Sequence, residues 1–213
     1  MQPSNHSIFF DFGNVVGHFD YLILCERFGK RIGLSADEFR KRLVNRGFAQ
    51  LLDEFERGLL SAESFAEKVC ELGDVEIPYD QFVPEWSDIF RPNESIGQLI
   101  VALKSNGYPL YLGSNTNILH ATHYRRQFES TLGLLDGFVL SYEVGHIKPS
   151  PEFFQACSRL AGVAPENCLF IDDVEENVAG ARAVGLNGIL YQDTDSLIDA
   201  LRDRGVVIPN FPD

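Results

Sequence analysis

Ile8-Phe9-Phe10-Asp11-Phe12-Gly13-Asn14 is the stretch whose reading decides the fold. Three consecutive apolar residues read as a short strand buried on both faces, and the aspartate and Gly-Asn turn end it. The same pattern returns further along the chain. Pro109-Leu110-Tyr111-Leu112-Gly113 runs into Ser114-Asn115-Thr116-Asn117, residues 137–141 precede Lys148-Pro149, and Leu169-Phe170-Ile171 runs into Asp172-Asp173. Continuously apolar strands separated by helical patterns belong to a parallel sheet covered on both faces.

Between the first two of these strands the pattern is helical. Helices are expected over 21–31, 35–45, 48–57 and 61–72. Ser35 and Glu38 form a capping-box signature, and Gly58 and Gly73 read as stops. Pro78, Pro84 and Pro92 then punctuate the return. Later helices are expected over 93–104, 118–128, 175–184 and 196–204, with another opened by Ser150-Pro151-Glu152. The predicted architecture is α/β: a Rossmann-like parallel-sheet core of residues 1–17 and 91–213, with a helical cap inserted at 18–90.

A chain of 213 residues fits one domain, or a core carrying a smaller insert. With 45% hydrophobic and 23% charged residues, neither global disorder nor a disulfide miniprotein fits. The 31 acidic and 18 basic residues give a net charge of −13, which repels nucleic-acid backbones and anionic lipid. No partner of either kind is expected. The early apolar run is too short for a signal peptide or a spanning helix. Cys25, Cys70, Cys157 and Cys168 form no C-x-x-C pair and read as reduced residues of a cytoplasmic protein. The oligomeric state stays open between monomer and dimer.

Open parallel sheets bind ligands beyond the carboxyl ends of their strands. Asp11, Ser114, Asn115, Lys148, Asp172 and Asp173 should therefore share one rim. Each has an ordinary explanation alone: a turn aspartate, a helix-capping serine, a solvated lysine, acids favoured by a helix dipole. Taken together, three carboxylates would repel one another unless a cation sat among them. Oxygen donors with room for phosphate and water suit Mg²⁺. Lys148 and the Ser114 hydroxyl then supply donors for an adjacent anion, which describes a phosphoryl-transfer site.

These motifs resemble the haloacid dehalogenase-like hydrolase superfamily, in its branch with a helical cap after the first strand. The resemblance rests on Phe10-Asp11-Phe12-Gly13-Asn14-Val15, on Leu112-Gly113-Ser114-Asn115-Thr116-Asn117, and on Lys148-Pro149 with Pro151-Glu152. It also rests on Phe170-Ile171-Asp172-Asp173 with Asn177, Gly180, Ala181 and Gly185. The Asp-x-Gly-Asn and Ser-Asn-Thr-Asn forms look most like small sugar-phosphate phosphatases, in particular those acting on glucose 1-phosphate. The resemblance implies that Asp11 is a nucleophile forming an aspartyl phosphate. Ser114 and the Asn115 amide would hold the transferring oxygens, and Lys148 would neutralise nucleophile and phosphate. It also implies Mg²⁺ bound by Asp11, Asp173 and the Gly13 carbonyl, with Asp172 beside the metal or one step removed.

One position departs from the family pattern. Related phosphatases carry a second aspartate two residues after the nucleophile, and this chain has Gly13 there. General acid–base catalysis contributes roughly 10²–10⁴-fold. Its absence predicts a preference for esters with good leaving groups, such as anomeric sugar, acyl or aryl phosphates. His18 and Asp20 are candidate substitutes for the acid. A metal-independent 2-haloacid dehalogenase and a catalytically weak binding or regulatory member of the same fold are the alternatives. Arg42, Arg46, Phe48 and Trp86 are candidate lid contacts, while His120 and Tyr124 are expected to pack or face solvent and Cys157 and Cys168 to be small core residues.

Overall fold

The computed structural model describes residues 6–208. β1 (Ser7–Phe10) passes through a tight turn into β2 (Gly17–Phe19). Five helices follow: α1 (Tyr21–Lys30), α2 (Ala36–Asn45), α3 (Phe48–Glu56), α4 (Ala62–Gly73) and α5 (Tyr79–Ser87). The chain returns through β3 (Phe90–Pro92), α6 (Glu94–Ser105), β4 (Leu110–Ser114), α7 (Ile118–Gln127) and α8 (Glu129–Leu132). It then continues through β5 (Gly137–Leu140), α9 (Ser141–Val144), α10 (Pro151–Ala161), β6 (Cys168–Asp172), α11 (Glu175–Ala183), β7 (Asn187–Leu190) and α12 (Thr194–Arg202).

Five strands pair in parallel in the order β5-β4-β1-β6-β7. From β1 the chain builds outward to β5 on one side, then crosses back to β6 on the other. That reversal places a topological switch point at the carboxyl end of β1. The strand period of two sorts the core. Ile8, Phe10, Leu110, Leu112, Leu169 and Ile171 join the larger apolar cluster with α6, α7 and α12. Phe9, Tyr111 and Phe170 join a second cluster with α10 and α11 on the opposite face. All residues of β1, β4 and β6 are buried, as a sheet covered on both faces requires.

The five helices of the insert bury their own aromatic core, which includes Phe28, Phe39, Phe55, Phe65, Phe82 and Trp86. The capping box of Ser35 and Glu38 forms at the start of α2. The return segment differs from its sequence reading, because α5 is helical with Pro84 inside it. Phe82 and Trp86, four residues apart, share one buried face and stack at 5.6 Å, and this packing offsets the hydrogen bond the proline removes. Gly73 is the last residue of α4 rather than its stop, and Asp74 takes the left-handed position with φ 51°. The final helix begins at Thr194, capped by Asp193, two residues before its expected start.

β2 and β3 pair antiparallel, with His18 opposite Arg91, and tie the two crossings into the insert together. Strands of three residues carry too little alternation to be read from sequence. All four cysteines are free, with Cys25, Cys157 and Cys168 buried. Among the described residues no helix is long and apolar enough to cross a membrane.

Candidate active site

Asp11 follows β1, Ser114 ends β4 and Asp172 ends β6, so three neighbouring strands deliver their last polar residues to one edge. Lys148 reaches the same point from the loop between α9 and α10. Its side chain is 1% exposed, so the solvated-loop explanation does not apply. Its Nζ lies 2.8 Å from Asp11 Oδ1 and 2.6 Å from Asp172 Oδ2, and donates to the Gly113 carbonyl at 3.1 Å. A buried ammonium needs such partners, and the two carboxylates raise the Lys148 pKa against the opposing effect of burial.

The loop is fixed by Asn115. Its Nδ2 donates to the Lys148 carbonyl at 3.1 Å, and its Oδ1 accepts from the Lys148 amide at 2.7 Å. The Asn115 side chain thus positions Lys148, a part the sequence reading had not given it. On the other side, Gly180 of α11 packs against Pro149 so closely that a Cβ would stand 2.8 Å from the Pro149 ring and carbonyl. Glycine at 180 is therefore what lets α11 hold this loop against the sheet.

Asp172 is saturated with donors. Oδ1 accepts from the Val174 amide at 2.9 Å and Asn177 Nδ2 at 3.0 Å; Oδ2 accepts from Lys148 and, at 3.2 Å, from Asn177. A carboxylate offers about four lone-pair sites, so this one holds protein groups in place. Asp11 differs. Its Oδ1 takes the Phe12 amide at 2.7 Å as well as Lys148, while Oδ2 has no hydrogen bond among the described residues. Asp173 is half-buried and uses only Oδ2, on Asn14 Nδ2 at 3.2 Å. Asn14 adopts a left-handed conformation, φ 55°, that asparagine tolerates and bulkier residues avoid.

One oxygen each from Asp11, Asp172 and Asp173 lies within 4.8 Å of the others. Burial first, and then the charges of Asp172 and Asp173, lift the Asp11 carboxyl from 3.8 to about 7 despite Lys148. Three carboxylates against one ammonium leave two surplus negative charges, and among the described residues the Gly13 carbonyl at the same rim accepts no backbone hydrogen bond. Two uncommitted carboxylate oxygens and a free carbonyl form a hard-oxygen donor set that fits a divalent cation such as Mg²⁺.

Ser114 is buried at the end of β4, and the cap of α7 is Asn117, whose side chain accepts from the His120 amide. The serine hydroxyl is therefore not used as a cap; among the described residues it reaches only the Asn115 carbonyl, at 3.3 Å. Gly13, Ser114 and Asn115 border a cavity of about 70 Å³ whose remaining wall includes Tyr21, Glu56 and His120. Neither Tyr21 nor Glu56 stood out in the sequence, since both lie on ordinary amphipathic helix patterns.

The candidate lid residues go elsewhere. Arg46 and Arg42 pair with Asp74 at 2.8 and 3.3 Å and bind the carbonyls of Leu72 and Gly73. Trp86 is fully buried, with Phe48 packed beside it. Asp20 caps α1 through the Leu22 amide, and His18 is exposed on β2, outside the cavity. Of the two alternatives open to His120 and Tyr124, both take packing: His120 stacks on Trp86 at 5.4 Å, and Tyr124 stacks on Phe12 at 3.9 Å.

The parallel sheet, the inserted helices and the acidic rim with its buried lysine define a hydrolase class. Residues 4–185 match the family of haloacid dehalogenase-like hydrolases, and the chain belongs to that family. It is 29% identical to the D-ribitol-5-phosphate phosphatase of Bacteroides thetaiotaomicron over 187 residues, 84% of this chain and 88% of that protein. A phosphatase of Mycobacterium tuberculosis is 25% identical and is covered over 96% of its length, with 95% of this chain. Among solved structures, a family enzyme of Bacteroides thetaiotaomicron in complex with magnesium and inorganic phosphate superposes with a TM-score of 0.73. It shares 25% identity, covering 88% of this chain and 94% of that one.

Proposed function

We propose that the protein is a Mg²⁺-dependent phosphatase that hydrolyses a small phosphorylated metabolite, a sugar or sugar-alcohol phosphate, through an aspartyl-phosphate intermediate. The observation that carries this reading is the buried Lys148 clamped between Asp11 and Asp172 while Asp11 Oδ2 stays uncommitted. The Asp11 carboxylate attacks phosphorus, the ester P–O bond breaks, and water later hydrolyses the acyl phosphate to return the carboxylate. Lys148 balances the charge of Asp11 and of the incoming phosphate. The Ser114 hydroxyl and the Asn115 amide donate to the transferring oxygens. Asp11, Asp173 and the Gly13 carbonyl would hold the metal, and Asp172 orients the lysine beside it. Bound Mg²⁺ supplies Lewis-acid neutralisation of the phosphoryl charge.

The phosphatase relatives and the magnesium–phosphate complex of a structural neighbour support this reading. Surplus negative charge at the rim speaks against a metal-free dehalogenase, which has no use for Asp173. Residues 18–90 act as a cap over a core of 1–17 and 91–213, whose outermost ends lie outside the described residues. The cavity is far below the roughly 300–1,000 Å³ of drug-sized sites, which favours a compact ester. A screen of phosphorylated metabolites with and without Mg²⁺, alongside Asp11→Asn, tests the proposal. Metal-dependent phosphate release by the native enzyme and none by the variant is expected; wild-type turnover by Asp11→Asn would overturn it.

A further inference from the structure

The residue that usually protonates the leaving group in these phosphatases is absent here, and the space it would use is filled. A Cβ built on Gly13 would stand 2.9 Å from the Phe19 ring, and only 3.9 Å from Asp11 Oδ2. No carboxylate can occupy that position without displacing Phe19. We infer that Glu56, carried by α3 of the inserted helices, is the proton donor and acceptor of the reaction.

Along the cavity wall the other titratable groups are already committed or stay neutral. Among the described residues, Glu56 is the only carboxylic acid lining it. His120 is committed on both ring nitrogens, Nδ1 to Asn117 at 3.1 Å and Nε2 to the Trp86 carbonyl at 3.4 Å. Burial pushes its pKa down to about 3, so it stays neutral. Burial and the nearby Glu56 charge raise the Tyr21 phenol still further above neutrality. Asp20 is used as a helix cap, and His18 lies outside the cavity.

Glu56 makes no hydrogen bond and no salt bridge among the described residues, although Arg57 is its neighbour. Arg57 instead pairs with Asp53 at 2.8 Å. Half-buried on the cavity wall and tied to no neighbour, the carboxyl is available to a ligand held there. Burial, followed by the charge of Asp53, lifts the Glu56 pKa from 4.5 to about 7. The end of α3 is also pinned to the core. Gly58, φ 71°, meets the Tyr142 backbone so closely that any side chain there would collide with the Tyr142 carbonyl.

This assignment rests on the aspartyl-phosphate reading and completes it. In-line attack by Asp11 puts the leaving oxygen on the far side of phosphorus, toward the wall supplied by the insert. As the ester P–O bond breaks, the Glu56 carboxyl gives its proton to the leaving alkoxide. The resulting carboxylate then takes a proton from water as that oxygen attacks phosphorus. Cleavage of the P–O bond to Asp11 releases inorganic phosphate and leaves Glu56 protonated for the next cycle. With this donor in place the enzyme needs no activated leaving group, which revises the preference expected from Gly13 alone.

Glu56→Gln, compared with the native enzyme on p-nitrophenyl and phenyl phosphate in the presence of Mg²⁺, tests the inference. On phenyl phosphate, kcat/KM should fall roughly 10²–10⁴-fold. On p-nitrophenyl phosphate, one equivalent of nitrophenolate should appear in a burst at near the native rate. Turnover should then slow, with one phosphoryl group retained on the protein by mass spectrometry. Glu56→Asp should recover part of the lost rate and guards against a folding defect in the first variant. Equal burst-phase losses on both esters, or a change confined to KM, would overturn the assignment. Wild-type turnover by Asp11→Asn would instead remove the phosphatase reading beneath it; a dead Asp11→Asn with a fully active Glu56→Gln would remove the Glu56 inference alone.

Discussion

The ammonium of Lys148 lies 2.6 Å from Asp172 Oδ2, bonding the loop before α10 to the end of β6 where neither side chain meets solvent. Buried pairs of this kind contribute little net stability but are strongly destabilising when halved, because the survivor is left charged and dry. Lys148→Met should therefore lower unfolding free energy by about 3–5 kcal/mol in urea titrations and abolish turnover. A variant that melts like the native protein would show that this pair does not organise the rim.

Asn115 separates positioning from chemistry. Its amide makes two hydrogen bonds to the Lys148 backbone, each contributing about 0.5–1.5 kcal/mol. Asn115→Ala should lose about 1–3 kcal/mol of stability and lower kcat more than it raises KM, since its own backbone amide is retained. Steady-state kinetics beside a denaturant titration measures both effects.

Metal binding should be visible without turnover. Ligand that binds only the folded state at 100 times its dissociation constant stabilises by about 2.7 kcal/mol. Mg²⁺ should raise the melting temperature of the native chain, and Asp173→Asn should abolish most of that shift. Asp172→Asn should unsettle the fold even without metal, because its oxygens hold Lys148, Asn177 and the Val174 amide.

Glu56 should leave a signature in stability against pH. Its folded pKa of about 7 exceeds the ordinary 4.5, so the folded state binds this proton more tightly than the unfolded chain. Below about 4.5 both states are protonated, and the group contributes no penalty. As pH rises from 4.5 to 7 the native protein pays an increasing cost, which levels off above 7. The facing groups fit this sign: Asp53 and Asp11 push the pKa up, Lys148 pulls it down, and Tyr21 and His120 stay neutral. Glu56→Gln should match the native melting temperature near pH 4.5 and exceed it at pH 8. Parallel curves across that range would show that Glu56 is not held in a desolvated place.

Much of this was legible in the chain. Apolar triplets ending in Asp11, Ser114 and Asp172 placed those residues at strand ends, because a parallel sheet sends every carboxyl terminus to one edge. The capping box at Ser35 was equally local, needing only residues three apart. The β2–β3 ribbon was too short to show a period, and Pro84 concealed α5, because its helix depends on the packing of Phe82 and Trp86.

The sequence by itself determined the sheet, the helical insert and the meeting of Asp11, Ser114, Lys148, Asp172 and Asp173, since these follow from local pattern and chain order. Only the tertiary structure decided that Phe19 fills the place beside Gly13, that Arg42 and Arg46 turn to Asp74, and that Glu56 faces the cavity. The physical reason is that an amphipathic helix specifies which stripe it buries. The direction of its remaining residues depends on how the insert is seated against the sheet, as at the Gly58–Tyr142 contact, and no local pattern encodes that placement.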